Sequence, residues 1–292
     1  MKRWILNILI VIFAGVFLVS AGVLGKYIWD SAAQRRKEQE MAQLVDRPQT
    51  RPTPPPETVP PETTVPSASG ETAPSTEPTE PVETEPPYEY EEVVTESGET
   101  VRILKDYAEL FRLNNDLVGW IQIPDTKIDY PVMQTPDSED YYLHRDIYGD
   151  YSRHGTIYVR ESCDVFAPSD NVTIYGHRMK DGSMFFGLTE YIKEEYYKEH
   201  KYIYFDTLQE YHTYEIMSVF ITSASLGKGF RYHAFETALS PEDFYDFVDT
   251  CLELSLYDTG VTAELGDKFI TLSTCDYSVT NGRLVVVAKR IS

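Results

Sequence analysis

KFITLSTCDYSVTNGRLVVVA, residues 268–288, holds two apolar runs separated by a seven-residue connection that contains Asn281-Gly282. Lys268 to Cys275 and the run that starts at Arg283 are aliphatic and β-branched enough to read as buried strands. Two strands joined by so short a loop are expected to be antiparallel neighbours. Cys275, the last residue of the first strand, and Arg283, the first of the second, then stand at the same end of one sheet. A guanidinium beside a thiol can lower its pKa and hold a developing oxyanion.

Working outward, short apolar or alternating runs at about 118–123, 129–134, 155–160, 171–176, 202–207 and 211–223 read as further strands, with 268–275 and 283–291 completing the set. Ile103, Leu104, Tyr107, Leu110 and Phe111 recur at helical spacing until Asn114-Asn115-Asp116. A helical stretch broken into turns is expected over 184–199. Ser240-Pro241-Glu242-Asp243 gives an N-cap, a first-turn proline and two acids for a helix that carries Phe244, Phe247, Val248, Cys251 and Leu252 on one stripe. Eight strands and few helices predict a mainly β fold: a closed eight-stranded barrel with a helix before it and another inserted ahead of the Cys275 strand.

The chain has 292 residues and a formal net charge of −21, which excludes a nucleic-acid binder working through a general basic surface. The acid is unevenly placed: residues 52–101 hold 12 Glu and no Lys or Arg. Residues 48–87 hold 13 of the 18 prolines. Such a segment buries too little apolar surface to offset its chain entropy and reads as a disordered or polyproline spacer. Ahead of it, Trp4 to Gly25 carries no charge. At 1.5 Å per residue its length is about 33 Å, enough for a bilayer's hydrocarbon core. A retained anchor is favoured over a cleavable signal ending near Val19-Ser20-Ala21, because the apolar run continues to Leu24. Lys26, Arg35, Arg36 and Lys37 outnumber Lys2 and Arg3, which by itself would keep the C-terminal side inside, but the rule is weak for long translocated domains, so charge counting does not orient the span. The expected divisions are therefore an anchor over 1–30, a juxtamembrane segment and stalk over 31–100, and a folded domain over 101–292.

All three cysteines and all six histidines lie in that last part. With three cysteines at least one thiol stays free. Cys251 sits on a helix's apolar stripe and reads as core, and Cys163 reads as an incidental turn residue. Cys275 has the sharper context, but a thiol nucleophile needs a proton-transfer partner. His177 follows the strand Asn171-Val172-Thr173-Ile174-Tyr175-Gly176 and precedes a polar turn, which places it at a strand mouth; a strand-end histidine is also commonly a plain surface residue. His200 and His212 flank a hairpin among charges, and His144, His154 and His233 lie in loops. C-x-x-C, H-x-x-x-H, G-x-x-x-x-G-K and G-x-S-x-G patterns are absent from the sequence.

TLSTC at 271–275, Arg283 eight positions on and IYGHRMKDGSMF at 174–185 together resemble the sortases, the cysteine transpeptidases of Gram-positive bacteria. The helical sequence before the barrel and the helix at 240–255 resemble class B of that family, over about 101–292. The resemblance implies Cys275 as nucleophile, His177 as general acid then base, and Arg283 as electrophilic support, with no cofactor. It implies cleavage after Thr in a C-terminal sorting motif and a thioacyl-enzyme. Transfer would go to an amine of a cell-wall precursor or a pilin. It further implies surface proteins or pilins as partners, a single-pass anchor and a catalytic domain outside the cell. The long Pro/Thr/Glu stretch departs from the family pattern. A tethered cysteine peptidase that hydrolyses its acyl-enzyme, and a non-catalytic wall-facing binding module, are the alternatives.

Overall fold

Helix α1 (Lys2–Leu44) opens the chain in the computed structural model, which describes residues 2–45 and 88–292. An antiparallel hairpin of β1 (Tyr90–Val94) and β2 (Thr100–Leu104) follows, then α2 (Lys105–Leu113). Eight further strands close a barrel: β3 (Leu117–Gln122), β4 (Asp129–Met133), β5 (Ile157–Val159), β6 (Asn171–Tyr175), β7 (Tyr202–Thr207), β8 (Thr213–Ser223), β9 (Phe269–Asp276) and β10 (Gly282–Arg290). Around the ring the order is β10-β8-β7-β3-β4-β5-β6-β9. The β4–β5 and β6–β9 contacts are parallel and the other neighbours antiparallel. Between β6 and β7 lie 3-10 turns over Phe185–Ile192 and the short α3 (Glu194–Glu199); α4 (Pro241–Leu254) precedes β9.

The barrel expected from the strand pattern is present, with local differences. The helix read from Ile103 begins at Lys105, because Ile103 and Leu104 are spent as the buried end of β2. Their partner β1 falls in a stretch whose composition reads as stalk. Only Val93 of β1 is buried, and two of its other four positions are Glu91 and Glu92, so acidity masks the strand. The loop between β9 and β10 is shorter than the sequence suggests, because Asp276 and Gly282 still pair across the hairpin. The Pro-rich spacer reading falls mainly on residues 46–87, outside the described residues. On either side of them, Val45 and Tyr88 pack into one hydrophobic cluster with Val93, Tyr107 and Trp120.

Side-chain alternation sorts β9 and β10 into two layers. Ile270 and Leu272 of β9, with Leu284, Val286 and Ala288 of β10, fill the barrel interior. Phe269, Val285 and Val287 point the other way and are covered by Phe244, Phe247, Val248 and Cys251 of α4. Each such fully buried side chain contributes about 1.5–3 kcal/mol relative to exposure. The α4 N-terminus is capped as the sequence indicates, with Ser240 Oγ accepting from the Asp243 N–H at 3.2 Å. Cys163, at the turn after β5, is buried in the barrel cluster, and burial pushes its thiol up to about 11.

The β9–β10 turn has little room. Asn281 takes a left-handed φ of 51°, and a Cβ on Gly282 would stand 2.5 Å from the Asp276 carbonyl oxygen. Gly282→Ala is therefore expected to destabilise the fold by about 1–3 kcal/mol in chemical denaturation; an unchanged midpoint would show that the turn relaxes freely.

Candidate functional site

The parity that places Ile270 and Leu272 inside the barrel places Cys275 outside it, in line with Phe269, Thr271 and Ser273. Its antiparallel partner on β10 is Arg283, on the same outer face as Val285 and Val287. On the other edge of β9, parallel β6 runs in register up to Tyr175 against Ser273. The pairing continues one residue further, where the Gly176 N–H donates to the Ser273 carbonyl at 3.2 Å and Thr274 Oγ1 donates to the Gly176 carbonyl at 2.8 Å. His177 follows at the next outward position. Three adjacent strands, β6, β9 and β10, thus carry His177, Cys275 and Arg283 to one end of one face. Gly176 has no substitute here: a Cβ would meet Ile157 Cδ1 at 2.5 Å and the Phe185 ring at 2.7 Å.

The polar residues of TLSTC each have a partner. Thr271 Oγ1 donates to Asn171 Oδ1 at 2.6 Å, Ser273 Oγ shares a 2.6 Å hydrogen bond with Tyr232 Oη, and Thr274 reaches Gly176. Buried hydroxyls left without partners would cost about 1–3 kcal/mol each. These bonds bind the cysteine strand to the histidine strand and to the Tyr232 turn. Beyond the strands, Arg178 pairs with the buried Asp276 carboxylate at 3.4 Å and lies over the Tyr277 ring.

His177 is half-buried. Its Nε2 lies 2.7 Å from the Leu143 carbonyl oxygen, an acceptor only, so Nε2 carries a proton and Nδ1 holds the lone pair of the neutral ring. The turn bearing Leu143 is fixed on both sides: Thr156 N–H donates to Tyr142 O and Ser152 N–H to His144 O, each at 3.0 Å. The His144 ring stacks on His177 at 5.2 Å. Burial holds the His177 pKa below the ordinary imidazole value; the Leu143 bond opposes this, and His144 and His154 nearby add to the lowering. Cys275 is half-buried, and Arg283 Nη1 donates to the Gly282 carbonyl at 3.0 Å. A cleft of about 320 Å³ opens over the three residues, walled by Leu143, Tyr175 and Tyr232.

The other histidines divide by context. His154 is buried and paired with Asp181 at 2.9 Å, His200 donates from Nδ1 to Tyr196 O, and His212 is pushed down to about 4 by burial. His233 lines the cleft edge. Sequence reasoning missed Leu143, which acts through a backbone atom and so leaves no residue-type signal. It also set His144 aside as a loop residue, and only the tertiary fold brings it onto His177.

A family profile described as "Sortase domain" matches residues 121–291. Sortase B of Listeria monocytogenes is 34% identical over 200 residues, covering 67% of this chain and 77% of that protein. The structure of sortase B from Bacillus anthracis in complex with AAEK1 superposes with a TM-score of 0.57 at 38% identity, over 65% of this chain and 86% of that one. The Staphylococcus aureus sortase B–substrate complex gives 0.60 at 30% identity, over 65% and 86%.

An NMR titration of the His177 ring is expected to give a pKa below 6.5, and His144→Ala is expected to raise it by removing both cover and a like-charged neighbour. A His177 pKa above 6.5, or a fall in the variant, would contradict the stacking account.

Proposed function

This chain belongs to the sortase family of cysteine transpeptidases, and from that premise we propose that Cys275 is its nucleophile, His177 its general acid and base, and Arg283 its oxyanion support. Cys275 gives its thiol proton to the Nδ1 lone pair of His177, and the resulting thiolate attacks the carbonyl of Thr in a sorting motif near a substrate protein's C-terminus. His177 protonates the leaving amine as the tetrahedral intermediate collapses, and a thioacyl-enzyme remains. An acceptor amine, from a cell-wall precursor or a pilin lysine, then attacks the thioester while His177 accepts its proton. The Arg283 guanidinium offsets charge on the carbonyl oxygen in both tetrahedral intermediates.

The observation that carries the reading is the adjacency of these residues on β6, β9 and β10, opening into one cleft. The Leu143 contact supports the role given to His177, because a proton fixed on Nε2 leaves Nδ1 to exchange protons. A depressed His177 pKa favours the neutral ring at pH 7, the form that serves as base in the second half-reaction. Class B fits the names of the relatives. In this reading α1 is a single-pass anchor, with the catalytic domain outside the cell and sorting-signal-bearing proteins as substrates.

Full-length chain in detergent, given fluorogenic peptides carrying Asn-Pro-x-Thr or Leu-Pro-x-Thr motifs, is expected to cleave after Thr and, with a triglycine amine added, to yield the transpeptidated product by mass spectrometry. Cys275→Ala is expected to abolish turnover. Arg283→Lys is expected to lower kcat by about 10²–10³, because a point charge does not reproduce the planar donor fork. Undiminished cleavage in Cys275→Ala would overturn the assignment, and hydrolysis that ignores added amine would make the protein a peptidase.

A further inference from the structure

Helix α1 changes character without a break. Its side chains from Arg3 to Lys26 are exposed on every face. From Tyr27 onward one stripe is covered by the rest of the protein: Tyr27, Asp30 and Ser31, then Gln34, Lys37 and Glu38, then Met41 and Val45. This i, i+3, i+4 spacing is that of one helix face laid on a surface. Lys37 forms an ion pair with the buried Asp146, and Met41 and Val45 join the cluster around Tyr107 and Trp120. The docked stripe starts two residues after the apolar run ends at Gly25.

The heights along α1 locate what lies beside it. At 1.5 Å per residue, Lys26 to Asp30 occupy roughly the first 7 Å beyond Gly25. The headgroup layer beyond the hydrocarbon core is about 5–7 Å thick on each side. Facing this stretch of α1 are Tyr151 and Arg153, whereas Tyr148 sits against Lys37, about 18 Å beyond Gly25 at 1.5 Å per residue. The Arg153 guanidinium carbon stands 5.8 Å from the Tyr27 ring centroid, and Tyr151 and Arg153 line one cleft with Lys26 and Asp30. Tyr151 is 78% exposed. An exposed tyrosine beside an arginine is the chemistry of a bilayer interface, where the ring sits at the acyl boundary and the guanidinium meets lipid phosphate.

We propose that Tyr151 and Arg153 of the catalytic domain form a lipid-headgroup contact, seated in the leaflet that α1 leaves at Gly25. The inference rests on reading α1 as a membrane span. Its consequence is that the docked half of α1 sets the distance between bilayer and cleft, and residues 46–87 do not. The cleft is also tied to the lipid-facing turn, because Ser152 N–H donates to the carbonyl of His144, whose ring stacks on His177.

Tyr151→Cys and Leu239→Cys are made separately in full-length Cys275→Ala chain, in which Cys163 and Cys251 stay buried. Each is labelled with bimane and reconstituted into phosphatidylcholine–phosphatidylglycerol vesicles that contain a headgroup spin-labelled lipid. Leu239, 93% exposed in the turn before α4, serves as the distant reference. Quenching several-fold stronger at position 151 than at 239 is the expected result. Equal quenching at both positions, or none at 151, overturns the proposal. Alkaline carbonate extraction of the same vesicles separates the two levels. Resistance to extraction without quenching at 151 sinks the headgroup contact alone, whereas release of the protein sinks the membrane-span reading and the contact with it.

Discussion

The arrangement depends on one strand, β9, hydrogen-bonded to a parallel neighbour on one edge and an antiparallel neighbour on the other. Parallel pairing brings the C-terminal end of β6 level with that of β9. Antiparallel pairing brings the start of β10 to the same end. A side chain leaving β6 or β10 at that end on the outer face therefore stands beside the one leaving β9. Because the strand period is two, a one-residue slip in either ladder would turn one member into the barrel core. Register is protected by burial on both faces: Ile270 and Leu272 pack inside the barrel, and Phe269 packs under α4.

Satisfied polar groups keep the ladder rigid where it approaches the cleft. Thr271, Ser273 and Thr274 bond to Asn171, Tyr232 and Gly176, so the TLSTC segment is fixed to two other parts of the chain before the thiol is reached. The Leu143 carbonyl plays the orienting part for His177 that a carboxylate plays in a Ser-His-Asp triad. A carbonyl carries no formal charge, so it sets the ring's tautomer while stabilising an imidazolium less than a carboxylate would. That is consistent with a ring whose pKa lies below the ordinary value.

Much of this was legible in the sequence because strand and helix periods are local. The run 268–288 announces its own hairpin, Cys275 and Arg283 follow from antiparallel pairing, and α4 shows its cap and its stripe. His177 was visible only as a strand end. Nothing local says that β6 runs parallel beside β9, since that pairing joins segments about 100 residues apart. In the sequence it is the family resemblance, and not spacing, that links His177 to Cys275. The β1–β2 hairpin was missed because its outward Glu residues match the acidic composition before it. The docked half of α1 was missed because Ser31, Gln34, Lys37 and Glu38 form a polar stripe, which hydropathy reads as solvent-facing.

The central claim is that the acyl group passes through Cys275. Peptide-level mass spectrometry of full-length chain, acid-quenched during turnover of a Thr-containing sorting peptide without added amine, reads where that group is held. A thioester mass on the fragment containing Cys275, discharged when amine is added, is the expected result. An acyl adduct on Cys163 or Cys251, or sustained cleavage with no covalent adduct on any cysteine, would contradict it.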